Sequence, residues 1–177
     1  METSNVLKDA FDRIRQLVER SVGGLDADAL AYRPEAGANS IGWLVWHLTR
    51  IQDDHVAEIA GRDQVWMVDG WADRFGMEAD PHNTGYGHTS EQVAALRPGT
   101  PNLLTGYHAA VAERTREYLQ MIDETELDRI IDTSYDPPVS VGVRLVSVIS
   151  DNLQHAGQAM YVRGILERVG VGRPAAQ

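Results

Sequence analysis

The chain has 177 residues, 43% hydrophobic and 24% charged, a composition that fits one globular domain with a sizeable core. No apolar run approaches the roughly 20 residues of a membrane span, and the opening Met1-Glu-Thr-Ser-Asn lacks a signal-peptide pattern, so a cytoplasmic protein with no membrane partner is expected. A net charge of −10 argues against nucleic acid as a partner, and the absence of cysteine excludes disulfides, a protein thiolate nucleophile and cysteine-ligated zinc.

In chain order, Ser4 to about Val22 reads as a first long helix: Ser4 is a candidate cap, and Val6, Leu7, Phe11, Ile14, Leu17 and Val18 recur at helical spacing up to Gly23-Gly24. Leu25 to Arg33 reads as short helical turns closed by Pro34. Asn39-Ser40 caps a second long helix, Ile41 to about Ala60, stopped by Gly61. Residues 61–88 keep no period. Trp66, Trp71, Phe75 and Tyr86 sit there among glycines, which predicts a long, packed, ligand-facing loop. A short helix from Thr89 or Ser90 to Leu96 ends before Pro98-Gly99. The third long helix runs from about Asn102 to Ile122, followed by a short helix over Asp123–Ile131 and an extended stretch from Ile130 to Val139. Ser140 caps the last long helix, Val141 to about Val169, and Gly170–Gln177 is a tail. With no repeat or linker, residues 1–177 form one all-α domain, and four long helices with unequal connections predict a four-helix bundle.

The chemistry concentrates on two of these helices. Asp151 and His155 are four residues apart, which on a helix places them on one face a turn apart. Arg144, Asp151, His155 and Gln158 follow one stripe, and such a stripe is not buried cheaply unless its members pair or coordinate something. Gly157 and Gly164 lie in the same helix, where glycine costs about 1 kcal/mol each against alanine; close approach by a backbone or ligand would explain them. On the second long helix, His47 stands in an apolar stretch with Trp43 and Ile51 on its face. Asp54, seven residues on, points nearly the same way, whereas His55 is rotated by about 80°. A histidine from one helix and an Asp/His pair from a facing one make a divalent-metal site with an open position, provided the two helices are neighbours. The plainer alternatives are a hydrogen-bonded core histidine and a local Asp–His contact. His82, His88 and His108 read as structural or surface residues, and no Glu-x-x-His, HExxH, P-loop, GxGxxG or GxSxG motif is present.

The run Gly42-Trp43-Leu44-Val45-Trp46-His47-Leu48, together with His155-Ala156-Gly157-Gln158, Asp69-Gly70-Trp71 and Asn83-Thr84-Gly85-Tyr86-Gly87-His88, resembles the DinB-like superfamily. That superfamily includes the maleylpyruvate isomerase N-terminal domain, and the likeness is strongest to an actinobacterial branch. It implies a DinB-like four-helix bundle in which a three-residue set binds a divalent metal, zinc or nickel first. The pattern in the family is three histidines. His47 and His155 match two of the positions, and Asp151 stands at the third, a departure that makes the site harder and lowers its charge by one. By the same resemblance the activity is a metal-dependent S-transfer using a low-molecular-weight thiol such as mycothiol, with a small-molecule electrophile as second substrate. Gln158 would orient a ligand. Arg144, Trp43, Trp71 and the aromatic loop would hold substrate or cofactor. Two alternatives remain open: a hydrolase on the same site with Asp54 or His55 as general base, and a non-catalytic binding module whose polar stripe is a hydrogen-bond network. A homodimer is expected, because bundles readily pair along an exposed helix face.

Overall fold

The computed structural model describes residues 2–170, so the expected tail, from residue 171 on, lies outside the described residues. In chain order the elements are α1 (Thr3–Val22), α2 (Ala27–Ala31), α3 (Ile41–Ala60), α4 (Val65–Val68), α5 (Trp71–Phe75), α6 (Ser90–Ala95), α7 (Pro101–Met121), α8 (Glu124–Asp128), β1 (Ile130–Asp132), β2 (Val139–Ser140) and α9 (Val141–Val169).

The long helices begin and end on local chemistry. The Ser40 hydroxyl accepts from the Trp43 amide at 3.1 Å, and Gly61 closes α3 in the left-handed region at φ 61°. Thr100 caps α7 with Pro101 in its first turn, and Ser140 caps α9. Two boundaries differ from the sequence reading. Helix α1 starts at Thr3 behind an extended Glu2 rather than at a Ser4 cap, and α8 stops at Asp128. The residues after it turn into β1, which pairs antiparallel with β2, Ile130 opposite Ser140 and Asp132 opposite Val139. This two-stranded hairpin is the one sheet among the described residues of an otherwise helical chain.

Helix α3 packs against α9 and α7, and α1 against the same two, so the order around the bundle is α1, α7, α3, α9. The α3–α9 seam is the most extensive, which supplies the adjacency the metal reading requires. One end of the core holds Phe11, Ile14, Val56, Tyr118, Leu119 and Leu145. The other holds Trp43, Leu44, Trp46, Trp66, Tyr107 and Leu104. Between them runs a buried polar bridge. Asn152 Nδ2 donates to Gln52 Oε1 at 2.8 Å, and Gln52 Nε2 donates to Thr115 Oγ1 at 2.8 Å. Each such bond contributes about 1 kcal/mol net and specifies the register of three helices. Among the described residues no helix is long and apolar enough to cross a membrane.

The 61–88 segment is not a plain loop. It winds the short helices α4 and α5, whose four and five residues are too few to show a period. Its aromatic residues build core: Trp66 meets Trp46 edge-on at 6.1 Å, and Trp71 packs against Tyr107 at 5.5 Å.

Candidate metal centre

Ligand atoms of His47, Asp151 and His155 all lie within 4.8 Å of one another. Helix α3 supplies the first and α9 the other two, with the imidazole rings of His47 and His155 edge to face at 4.8 Å. His47 Nδ1 is 2.6 Å from the Thr84 carbonyl oxygen. A carbonyl only accepts, so Nδ1 carries the proton and the Nε2 lone pair is bare. His155 repeats the arrangement: Nδ1 donates to Gln158 Oε1 at 2.8 Å, and Nε2 faces Asp151 Oδ1 at 3.5 Å. The other Asp151 oxygen, Oδ2, is buried without a hydrogen-bond partner. The bare Nε2 of His47, the Nε2 of His155 turned to Asp151, an orphaned carboxylate oxygen and a hydrogen bond at each Nδ1 are a donor set and outer support that suit a divalent ion.

Burial, the largest influence, pushes the His47 imidazole below its ordinary pKa, and this keeps it neutral and able to ligate. The Asp151 carboxylate holds His155 above its ordinary value against the effect of burial. Trp43 stacks on His47 at 4.6 Å and 13°, shielding one face of the ring.

The segment that delivers Thr84 is held from below. Arg50, with no exposed surface, donates to the carbonyl oxygens of Asn83 at 3.1 Å and Pro81 at 2.9 Å. Its guanidinium lies over the Trp66 ring at 4.9 Å. Its ionic partner Asp53 accepts from the amides of Val65 and Trp66 at 2.9 and 2.8 Å and from the Tyr107 hydroxyl at 2.7 Å. Gly85, at φ 92°, passes so close that a β-carbon there would sit 2.8 Å from Trp46 and 3.0 Å from His47 Nδ1. His88 belongs to this layer as well. Its Nδ1 accepts from Trp43 Nε1 at 3.2 Å, its Nε2 donates to Asn83 Oδ1 at 2.9 Å, and its ring stacks on Trp46.

The remaining candidates sit elsewhere. Asp54 accepts from Gln64 Nε2 at 2.7 Å and so is tied to the turn after α3. His55 turns toward α9 and meets Arg144 Nη1 at 3.2 Å. Arg144 divides itself between His55 and Asp132 of β1, two helical turns before Asp151, and is anchored to the hairpin. Trp71 packs into the core over Gly106, where a β-carbon would lie 2.9 Å from the ring, with Tyr107 as its aromatic neighbour. Gln158 meets the cluster through His155, whose Nδ1 donates to its Oε1 at 2.8 Å. Sequence reasoning passed over Arg50, Asp53, Asn83 and the supporting role of His88. Two charges inside α3, on a stretch that otherwise reads as buried, were the available signal for the first pair.

A sequence-family profile described as mycothiol-S-transferase matches residues 6–168. Among solved structures, "the conserved protein of locus from Enterococcus faecalis" is similar with a TM-score of 0.85 and 30% sequence identity, over 92% of this chain and 96% of that one. No curated protein matches the sequence.

Proposed function

We propose, from the premise that the chain belongs to the mycothiol S-transferase family, a DinB-like family, that it joins the sulfur of a low-molecular-weight thiol to a small electrophile, with His47, Asp151 and His155 holding one divalent ion. The observation that carries this reading is the convergence of two imidazoles, each held at Nδ1, on one carboxylate, with their Nε2 atoms toward it and one carboxylate oxygen left without a partner. Two nitrogens and one carboxylate oxygen favour zinc or nickel over an ion that seeks only oxygen. Bound there, a divalent ion supplies a Lewis acid that lowers the pKa of a coordinated sulfhydryl and makes thiolate available at neutral pH.

The chain's own residues do the rest. Thr84 and Gln158 fix the tautomers of the two histidines. Trp43 keeps water off one face of His47. With no cysteine present, the sulfur comes from the cosubstrate, and the family description names mycothiol for that part. In the transfer the thiol proton passes to solvent, a sulfur lone pair forms the new carbon–sulfur bond, and the leaving group departs with the electron pair of the bond that breaks. A hydrolase using Asp54 or His55 as base is disfavoured, because Gln64 and Arg144 already engage those side chains.

Protein purified without a histidine tag is expected to carry close to one divalent ion per chain by mass spectrometry. The ion should be lost in each of His47→Ala, Asp151→Ala and His155→Ala. Conjugation of mycothiol to monochlorobimane, a slower electrophile, should run above its uncatalysed rate only in the loaded protein. A wild type that takes up no zinc, nickel or manganese, or a rate above the uncatalysed background that survives full chelation, overturns the reading; the former outcome leaves a binding module.

A further inference from the structure

A groove of about 670 Å³ runs between the 34–39 turn and α9; none of the three donors lines it, and it approaches their cluster through one residue. The two are contiguous through Gln158, which lines the groove and accepts from His155. Leu44, Val162, Ile165 and Pro34 make the groove largely apolar, and Tyr161, 69% exposed, stands beside them. One wall is preset. Arg33 donates to the carbonyl oxygens of Ala36 and Ala38, and to that of Ser90 at 3.0 Å, so the turn is fastened in place without a ligand.

Gly157 supplies a second, independent observation. It lies in the middle of α9, where glycine is among the least favourable residues. A β-carbon built there meets nothing within 4 Å, so no packing inside the protein requires a glycine. The space it keeps open is the groove. Glu35 is the one charged residue among those lining it, so an anion finds no counter-charge. A volume of this size holds a small organic molecule. Glu35, Asn39, Gln158 and Tyr161 bring some polar groups, but apolar surface predominates, which suits an apolar body better than a hydroxyl- and amide-rich thiol.

We infer that this groove seats the electrophile: it takes the uncharged aromatic or aliphatic body of the acceptor substrate and turns the reactive carbon toward the thiol sulfur at His47, Asp151 and His155. The step is the one written above, carbon–sulfur bond formation with departure of the leaving group and its electron pair. The inference rests on the transfer reading for the reactivity of the occupant. The groove itself is tested without any thiol.

The probe is 1,3-dinitrobenzene, an uncharged aromatic, titrated into full-length zinc-loaded protein while amide shifts are followed by NMR. Saturable shifts are expected together at Gly37, Ala38, Gly157 and Tyr161. Gly157→Leu, which fills open space on a helix and should fold at least as stably, should weaken binding about tenfold or more, whereas Gly157→Ala should bind nearly as wild type. With mycothiol present, Gly157→Leu should raise KM for 1-chloro-2,4-dinitrobenzene by a similar factor and leave turnover of iodoacetamide, small enough to reach the sulfur without the groove, unchanged. No saturable shifts, shifts confined to a second cavity at the C-terminal end of α3, lined by Gly61, Arg62, Val68 and Arg114, or unaltered binding by Gly157→Leu overturns the inference. A wild type that binds the probe in the groove but transfers no thiol upholds the groove and overturns the transfer reading instead.

Discussion

Arg50 holds the Asn83 carbonyl oxygen at 3.1 Å, one residue before the carbonyl that fixes His47. A side chain with no solvent exposure thus sets the position of an imidazole on the same helix, and it does so through a segment more than thirty residues further along the chain. Arg50→Met removes the donors and leaves Asp53 buried without its counter-charge. The expected cost is about 3–5 kcal/mol in urea unfolding. Metal uptake should fall as well, because the Thr84 acceptor is no longer held. A variant as stable as the wild type would show that the pair is dispensable.

Gln158 is exposed and touches the site only through His155 Nδ1. Gln158→Leu should therefore leave the melting temperature nearly unchanged. Zinc affinity should weaken by about 10–100-fold, measured by competition with a chromogenic chelator. Equal affinity in the two proteins would remove Gln158 from the positioning role.

Gly85→Ala places a β-carbon on Trp46, His47 and Trp43, and it does so at a φ of 92° that favours glycine. The expected loss is about 1–3 kcal/mol of stability, read as a lower melting temperature together with reduced metal content. An unchanged melting temperature would mean the 83–88 segment shifts freely, contrary to its anchoring by Arg50.

His108 gives a pH signature remote from the donor cluster. Burial, aided by Arg15, pushes its pKa down to about 4, and its Nε2 has no hydrogen-bond partner. In the unfolded chain the imidazole protonates near its ordinary value of about 6.5. Above that pH neither state binds the proton, and the full stability is present. As pH falls toward about 4 the unfolded chain gains a proton that the fold refuses. Stability should then drop by about 1.4 kcal/mol per pH unit, roughly 3 kcal/mol over the window. Urea unfolding at several pH values between 7.5 and 4.5 should show this decline, and His108→Leu should flatten it by a comparable amount. Parallel pH profiles for the two proteins would show that His108 does not carry the effect.

The bundle, its long-helix boundaries and the Asp151/His155 pair were legible because each rests on local rules: hydroxyl caps at Ser40 and Ser140, a glycine stop at Gly61, and two side chains one turn apart. His47 stood out as a histidine in an apolar stretch of α3, no spacing links it to α9, and the family likeness strengthened the grouping. The angular offset of Asp54 from His47 is small, and nothing in the sequence signals that Gln64 from the following turn donates to it. The neighbours of Trp71 and Arg144, Gly106 and His55, are distant in sequence and equally unannounced. Arg50 and Asp53 went unread, although they are two charges in a stretch of α3 that otherwise reads as buried. Their burial is decided by carbonyls and amides of residues 65–83, and no local pattern in α3 announces those partners.

The donor cluster and the Gln52–Asn152 bond both straddle the α3–α9 seam, about one helical turn apart. A slide of α9 along α3 by one residue, about 1.5 Å, would break the amide bridge and spread the three donors at the same time. The seam therefore works as a vernier with a single setting, and an ion seated at its upper mark would clamp it. Amide hydrogens of α3 and α9 should then exchange more slowly in the loaded protein, while those of α8 and the hairpin should keep their own pace.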